Sequence, residues 1–114
     1  MSSDELNSLS ITGVLARLAP RRMSPAGVEH VDFDIEHHSR QSIAGGAPRL
    51  ARCVVRARVS SPMLICQVEA CALGDRVAIE GALSWESAKE EPGRLVVLVR
   101  RVQLLTRATS DFPG

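Results

Sequence analysis

From Glu29 to His38 the chain alternates. Val31, Phe33 and Ile35 fall on one parity, and His30, Asp32, Asp34, Glu36 and His38 on the other. Successive side chains of an extended strand point to opposite faces, so this pattern demands a strand buried on one face only. Leu50 to Val59 repeats it, with Ala51, Cys53, Val55, Ala57 and Val59 inward and Arg52, Arg56 and Arg58 outward beside Leu50 and Val54. Leu9 and Ile11 open an earlier strand that loses its alternation after Gly13, where Val14 and Leu15 are adjacent apolar residues, as expected if a glycine lets the strand kink or bulge. Val77, Ile79, Gly81 and Leu83 make a fourth strand. Leu95 to Leu105 makes a fifth, apolar on both parities apart from Arg100, Arg101 and Gln103. Such a strand needs a second cover, from a neighbouring element or from a partner subunit.

The connections carry turn chemistry. Met23-Ser-Pro-Ala-Gly27 joins the first two strands, and Ser39 to Pro48, with Gly45-Gly46, reads as a flexible loop between the second and third. Ser60-Ser61-Pro62 opens a stretch ending at Gly74, and a capping serine, a first-turn proline and a glycine stop predict a short helix there. Glu86 to Gly93 reads as a polar loop before the fifth strand. Five coiled strands with one helix, between the third and fourth, fit an all-β, five-stranded OB-fold Greek-key barrel. An immunoglobulin-like sandwich needs about seven strands, and an SH3-like barrel is the alternative. With 114 residues there is room for one core. Residues 8–105 form the expected domain, with tails at 1–7 and 106–114.

The chain is 45% hydrophobic and 24% charged with a mean hydropathy of +0.03, the composition of a globular protein. Its longest aliphatic run, Leu95 to Val99, is too short to span a bilayer, and Met1-Ser-Ser-Asp-Glu5 lacks a basic segment followed by an apolar one. A cytoplasmic protein with no membrane association is therefore expected. Cys53, Cys66 and Cys71 include no CxxC pair and read as reduced thiols, Cys53 as a buried structural one. In Glu36-His37-His38 the strand puts His37 on the opposite face from its neighbours, which keeps the three from converging on one ion. No phosphate loop and no nucleophile with a base is present. The expectation is a protein that is not an enzyme and uses no metal or cofactor.

The net charge is only +1, but its distribution is uneven. No acidic residue lies between His37 and Val68, whereas Arg40, Arg49, Arg52, Arg56 and Arg58 all do. A solvated face is the plain reading of such a strip. The alternative is nucleic acid, because OB barrels use the outer face of strands two and three as a groove for single strands. Arg52, Arg56 and Arg58 belong to that face, and Arg21-Arg22 precedes the first loop, but Asp32, Asp34 and Glu36 project to the same side and can pair with arginines across the sheet. Trp85 is the one aromatic residue available for stacking on bases, and its parity with Val77, Ile79 and Leu83 equally allows a core position. A barrel so poor in aromatic platforms should hold single strands mainly through phosphates.

Arg21-Arg22-Met-Ser-Pro-Ala-Gly27, with His30, Phe33, Glu36-His37 and Cys53, resembles the primosomal replication protein N family, known as PriB. The run Leu73-Gly-Asp-Arg-Val-Ala-Ile-Glu-Gly81 is similar to that family and to bacterial single-stranded DNA-binding proteins generally. The resemblance implies an OB-fold homodimer that binds single-stranded DNA in replication restart, assisting the PriA helicase and other primosome proteins. An adaptor that stimulates a helicase through protein contacts, with weak DNA binding, is the alternative. On the same resemblance Arg22 and Lys89 match basic DNA-binding positions, His38 stands in place of an arginine contact, and Arg52 in place of a tryptophan. The expected DNA-binding set is Arg22, His38, Arg49, Arg52, Arg56, Trp85 and Lys89.

Overall fold

The computed structural model describes residues 5–88 and 91–108. In chain order the elements are β1 (Leu9–Leu18), a two-residue β2 (Arg22–Met23), β3 (Glu29–Gln41), β4 (Arg49–Val59), α1 (Pro62–Glu69), β5 (Arg76–Ala88) and β6 (Glu91–Thr106). The sheet runs β1-β5-β6-β4-β3-β2, and β1 also pairs with β3, so the five long strands close into the expected OB barrel. β2 is a short antiparallel addition to β3, reached through the turn at Ser24–Gly27.

β1 changes partner along its length, pairing with β5 from Leu9 to Val14 and with β3 from Val14 to Leu18. At the changeover a side chain on Gly13 would run into the carbonyl of Glu36, so the glycine is there to admit β3. The bulge lies further on, between Leu15 and Arg17.

Val31, Phe33 and Ile35 of β3 and Ala57 and Val59 of β4 enter the core with Leu15, Val77, Ile79, Val97 and Val99. Helix α1 adds Leu64, Ile65 and Val68 to the same core. The Ser61 hydroxyl caps the helix by accepting from the Leu64 N–H at 3.2 Å, and Pro62 fills the first turn. The helix ends at Glu69, well before Gly74, which instead adopts φ +93° in the turn into β5. Asp75 closes that turn: its carboxylate, 1% exposed, accepts from the N–H of Ala72 at 2.8 Å and of Ala108 at 2.6 Å. Those backbone donors hold its carboxyl below the ordinary carboxylate range.

The double apolarity of β6 is covered partly from within the chain. Val97 and Val99 face the core, whereas Val96 lies on the outer face opposite Ser84, yet is buried. Leu98 and Leu105 stay exposed.

Three sequence expectations need correction. β3 and β4 remain paired to Gln41↔Arg49, which shortens the expected loop at 39–48 to 42–48. Of the expected loop from Glu86 to Gly93, the described residues are strand, with Glu86↔Arg94 and Ala88↔Glu91 paired. Both extensions need only each other's backbone hydrogen bonds and no apolar alternation, so polar sequence can form them. Cys53 is exposed, because it lies where the β3–β4 ribbon has left the barrel and nothing covers its face. All three cysteines are free. Of the expected tails, Asn7 is hydrogen-bonded to Leu83 through both N–H and carbonyl, and Ala108 is held by Asp75. Residues 1–4 and 109–114 lie outside the described part. Among the described residues no helix is long and apolar enough to cross a membrane.

Candidate nucleic-acid interface

The outer face of the β3–β4 ladder is one continuous row. Its cross-strand pairs are Asp32↔Arg58, Asp34↔Arg56, Glu36↔Val54, His38↔Arg52 and Arg40↔Leu50. With a rise of about 3.3 Å per residue, Arg52 and Arg58 stand about 20 Å apart along the strand. The row has two halves, one on the barrel wall and one on the ribbon that projects from it, here called the arm.

On the barrel half every aspartate is occupied. Asp34 accepts from Arg56 Nε at 2.6 Å on one oxygen and from Arg17 Nε at 3.1 Å on the other. Asp32 accepts from Arg58 Nε at 2.8 Å and from an Arg22 terminal nitrogen at 3.3 Å. Arg58 reaches on to Glu86 at 2.7 Å. Burial by itself would raise the Asp32 carboxyl, but the hydrogen bonds and charges of Arg58 and Arg22 overturn this and hold it below the usual carboxylate range. The Asp32 hydrogen bond correspondingly raises Arg58 against the opposing effect of burial.

The arm half carries Arg40 and Arg52 around His38, flanked by the exposed aliphatic chains of Leu50 and Val54. Arg49 lies at the arm's tip, opposite Gln41 on the reverse face. Arg40, Arg49 and Arg52 make no ion pair among the described residues. The reverse face is tied to β1 by a relay. Gln41 Nε2 donates to Ser39 Oγ at 2.8 Å, the Ser39 hydroxyl donates to His37 Nε2 at 2.7 Å, and His37 Nδ1 donates to the Thr12 carbonyl at 2.7 Å. A carbonyl only accepts, which fixes this tautomer. His37 is therefore a strut for the arm.

Trp85 is 63% exposed. It shares parity with Ile79 but stands beyond the barrel rim, paired with Leu95. Its indole lies over Gly93, where any side chain would overlap the ring. Glu86, the next residue, faces Arg58, so Trp85 sits with Leu83 and Leu95 on the opposite side of the hairpin from the arginine row.

Of the expected DNA-binding residues, the structure brings His38 and Arg52 together on the arm with Arg49 nearby, holds Arg22 and Arg56 in ion pairs on the barrel, and sets Trp85 apart. Lys89 lies outside the described residues. Sequence reasoning missed Arg40 as a partner of this group, although its parity with His38 and Arg52's strip carried the signal, and it missed Arg17 and Glu86, which reach the row from other strands.

Residues 7–101 match the profile of a family described as another single-strand binding protein family. The replication restart protein PriB of Citrobacter koseri is 29% identical over 99 residues, covering 87% of this chain and 94% of that protein. The PriB of Haemophilus influenzae is also 29% identical, covering 87% and 91%. Among solved structures, PriB from Ralstonia solanacearum superposes with a TM-score of 0.72 at 19% identity, covering 88% of this chain and 98% of that one. A Plasmodium falciparum single-strand binding protein in complex with single-stranded DNA gives 0.68 at 12% identity, covering 93% and 98%. At these identities the structures speak for the barrel alone. The profile match spans nearly all of the paired strands, and the chain belongs to this single-strand binding protein family.

Proposed function

We propose that this protein is a single-stranded DNA-binding accessory of replication restart, acting as a cytoplasmic homodimer beside the PriA helicase and other primosome proteins, without catalysis of its own. The observation that carries the reading is a family-typical barrel whose second and third long strands present Arg40, Arg49 and Arg52 exposed and without ion pairs among the described residues. With so few aromatic platforms, binding is electrostatic and weak. Three phosphate contacts predict that log affinity falls with log salt at a slope of about −2. Titrating an oligothymidylate at increasing salt tests this, and a flat response refutes it.

Dimerisation is supported by the free edge of β1. From Leu9 to Gly13 its second edge has no strand partner among the described residues, and β3 meets only its end, through the His37 ring at Thr12 and the Glu36 carbonyl at Gly13. An unpaired edge is a template for a second strand, and two-fold pairing satisfies both copies. Sedimentation at micromolar concentration should give a dimer, and a clean 12.3 kDa species counts against it.

The exposed Trp85 and its neighbours Leu83 and Leu95 favour a second reading, an adaptor that engages a helicase through protein contacts. Trp85 is the only tryptophan, so its fluorescence discriminates. A change on adding helicase but not oligonucleotide supports the adaptor; a change with oligonucleotide alone supports stacking on bases.

A further inference from the structure

We infer that Asp32 and Asp34 act as an electrostatic gate, occupying the arginines of the barrel half of the row so that a single strand is confined to the arm. The inference rests on the single-strand reading above and names the part of the surface that carries it. The barrel half contains more arginine than the arm's outer face, since Arg17, Arg22, Arg56 and Arg58 converge there. Arginine content alone would make it the better phosphate site.

Geometry reverses that ranking. Both oxygens of each aspartate are engaged, Asp34 by Arg17 and Arg56, Asp32 by Arg22 and Arg58. The side chains of Asp32 and Asp34 are only 13% and 16% exposed. A phosphate arriving there must displace a charge-assisted hydrogen bond that is already made, and it must then sit within a few ångströms of two carboxylates that cannot leave. One ion pair is exchanged for another and like-charge repulsion is added. The arm imposes less of either penalty, because Arg40 and Arg52 are exposed with no ion pair among the described residues to displace, the carboxylate on its row is the single exposed Glu36, and Leu50 and Val54 offer aliphatic surface to sugars and bases. Asp32 and Asp34 thus set where the strand runs and how short its contact is, while touching no phosphate themselves.

The test compares the natural chain with D32N/D34N and with R40E/R52E, using an oligothymidylate at low salt and then across a salt series. D32N/D34N should bind about tenfold or more tighter, with a salt slope steeper by about 0.7 for every phosphate the released arginines take up. R40E/R52E should weaken the natural chain by about tenfold or more, and should weaken D32N/D34N far less, because the barrel half is then open. Thermal melting of each variant accompanies the titrations. Where D32N/D34N melts too early to titrate, Asp34→Asn alone keeps the Asp32–Arg58–Glu86 cluster and carries the same expectation at a smaller size. A folded D32N/D34N with unchanged affinity and slope overturns the gate. Full affinity in R40E/R52E, with the natural chain binding, overturns the gate alone. Absence of binding at low salt by both the natural chain and D32N/D34N overturns the gate and the single-strand reading together.

Discussion

Ala51, Cys53, Val55, Ala57 and Val59 share one parity of a single strand, yet Ala57 and Val59 are fully buried while Cys53 is exposed. The strand is the same and the ladder to β3 is unbroken; only the third layer differs. On the barrel, β1 closes against β3, β6 lies beside β4 and α1 packs beneath. On the arm these neighbours are gone, and two strands satisfy their backbone groups with each other alone. Parity therefore states which way a side chain points, and the presence of a further element decides whether anything is there to meet it. The charged face follows the same division, for the barrel arginines meet aspartates and those of the arm meet solvent.

The sharpest way to break this comparison is to remove matched side chains from each half. Phe33→Ala empties the centre of the barrel and should cost about 3–5 kcal/mol in equilibrium denaturation. Cys53→Ala, on the inward parity of the arm, should stay within about 0.5 kcal/mol. Comparable losses would show that the arm is packed after all. Gly13→Ala probes the border, since its new Cβ meets the Glu36 carbonyl where β3 leaves β1 for the arm; forcing the strands apart should cost about 1–3 kcal/mol.

Acid sharpens it further. Asp32 and Asp75 have carboxyls held below their ordinary value of 3.8, so their stabilisation is complete above that pH and drains away as pH falls through the depressed values. Melting temperature should drop as pH goes below about 4. Asp75→Asn should flatten that limb, and Leu50→Ser on the arm should leave it in place; an unchanged limb in Asp75→Asn refutes the assignment. The smallest effect belongs to Gly93→Ala, which displaces the Trp85 indole. Its emission should shift while stability changes by about 1 kcal/mol or less, because the ring is already largely exposed.

Much of this was legible in the residues themselves. Val31, Phe33 and Ile35 declared the core face of β3, Ser61 and Pro62 declared the start of α1, and the shared face of Asp32, Asp34 and the arginines suggested pairing across the sheet. The extent of the ladders was hidden, because Ser39 to Gln41 and Glu86 to Ala88 pair as strands without any apolar rhythm to announce it. Trp85 was ambiguous for a related reason: parity with Ile79 places it on the core side, and only the barrel's height shows that the core ends below it. Arg17 and Glu86 joined the charged row through closure of the barrel, a long-range event that local spacing does not encode.

β3 runs thirteen residues without interruption from the barrel wall into the arm, so one strand should exchange its amide hydrogens on two timescales. Amides of Val31 to Ile35 sit in the closed sheet and should exchange with solvent only when the whole barrel opens. Those beyond His38 have one neighbouring strand and a relay of three side chains to hold them, and they should exchange through local separation of the ribbon. Exchange measured residue by residue should therefore change at Glu36, where Gly13 lets the two strands touch.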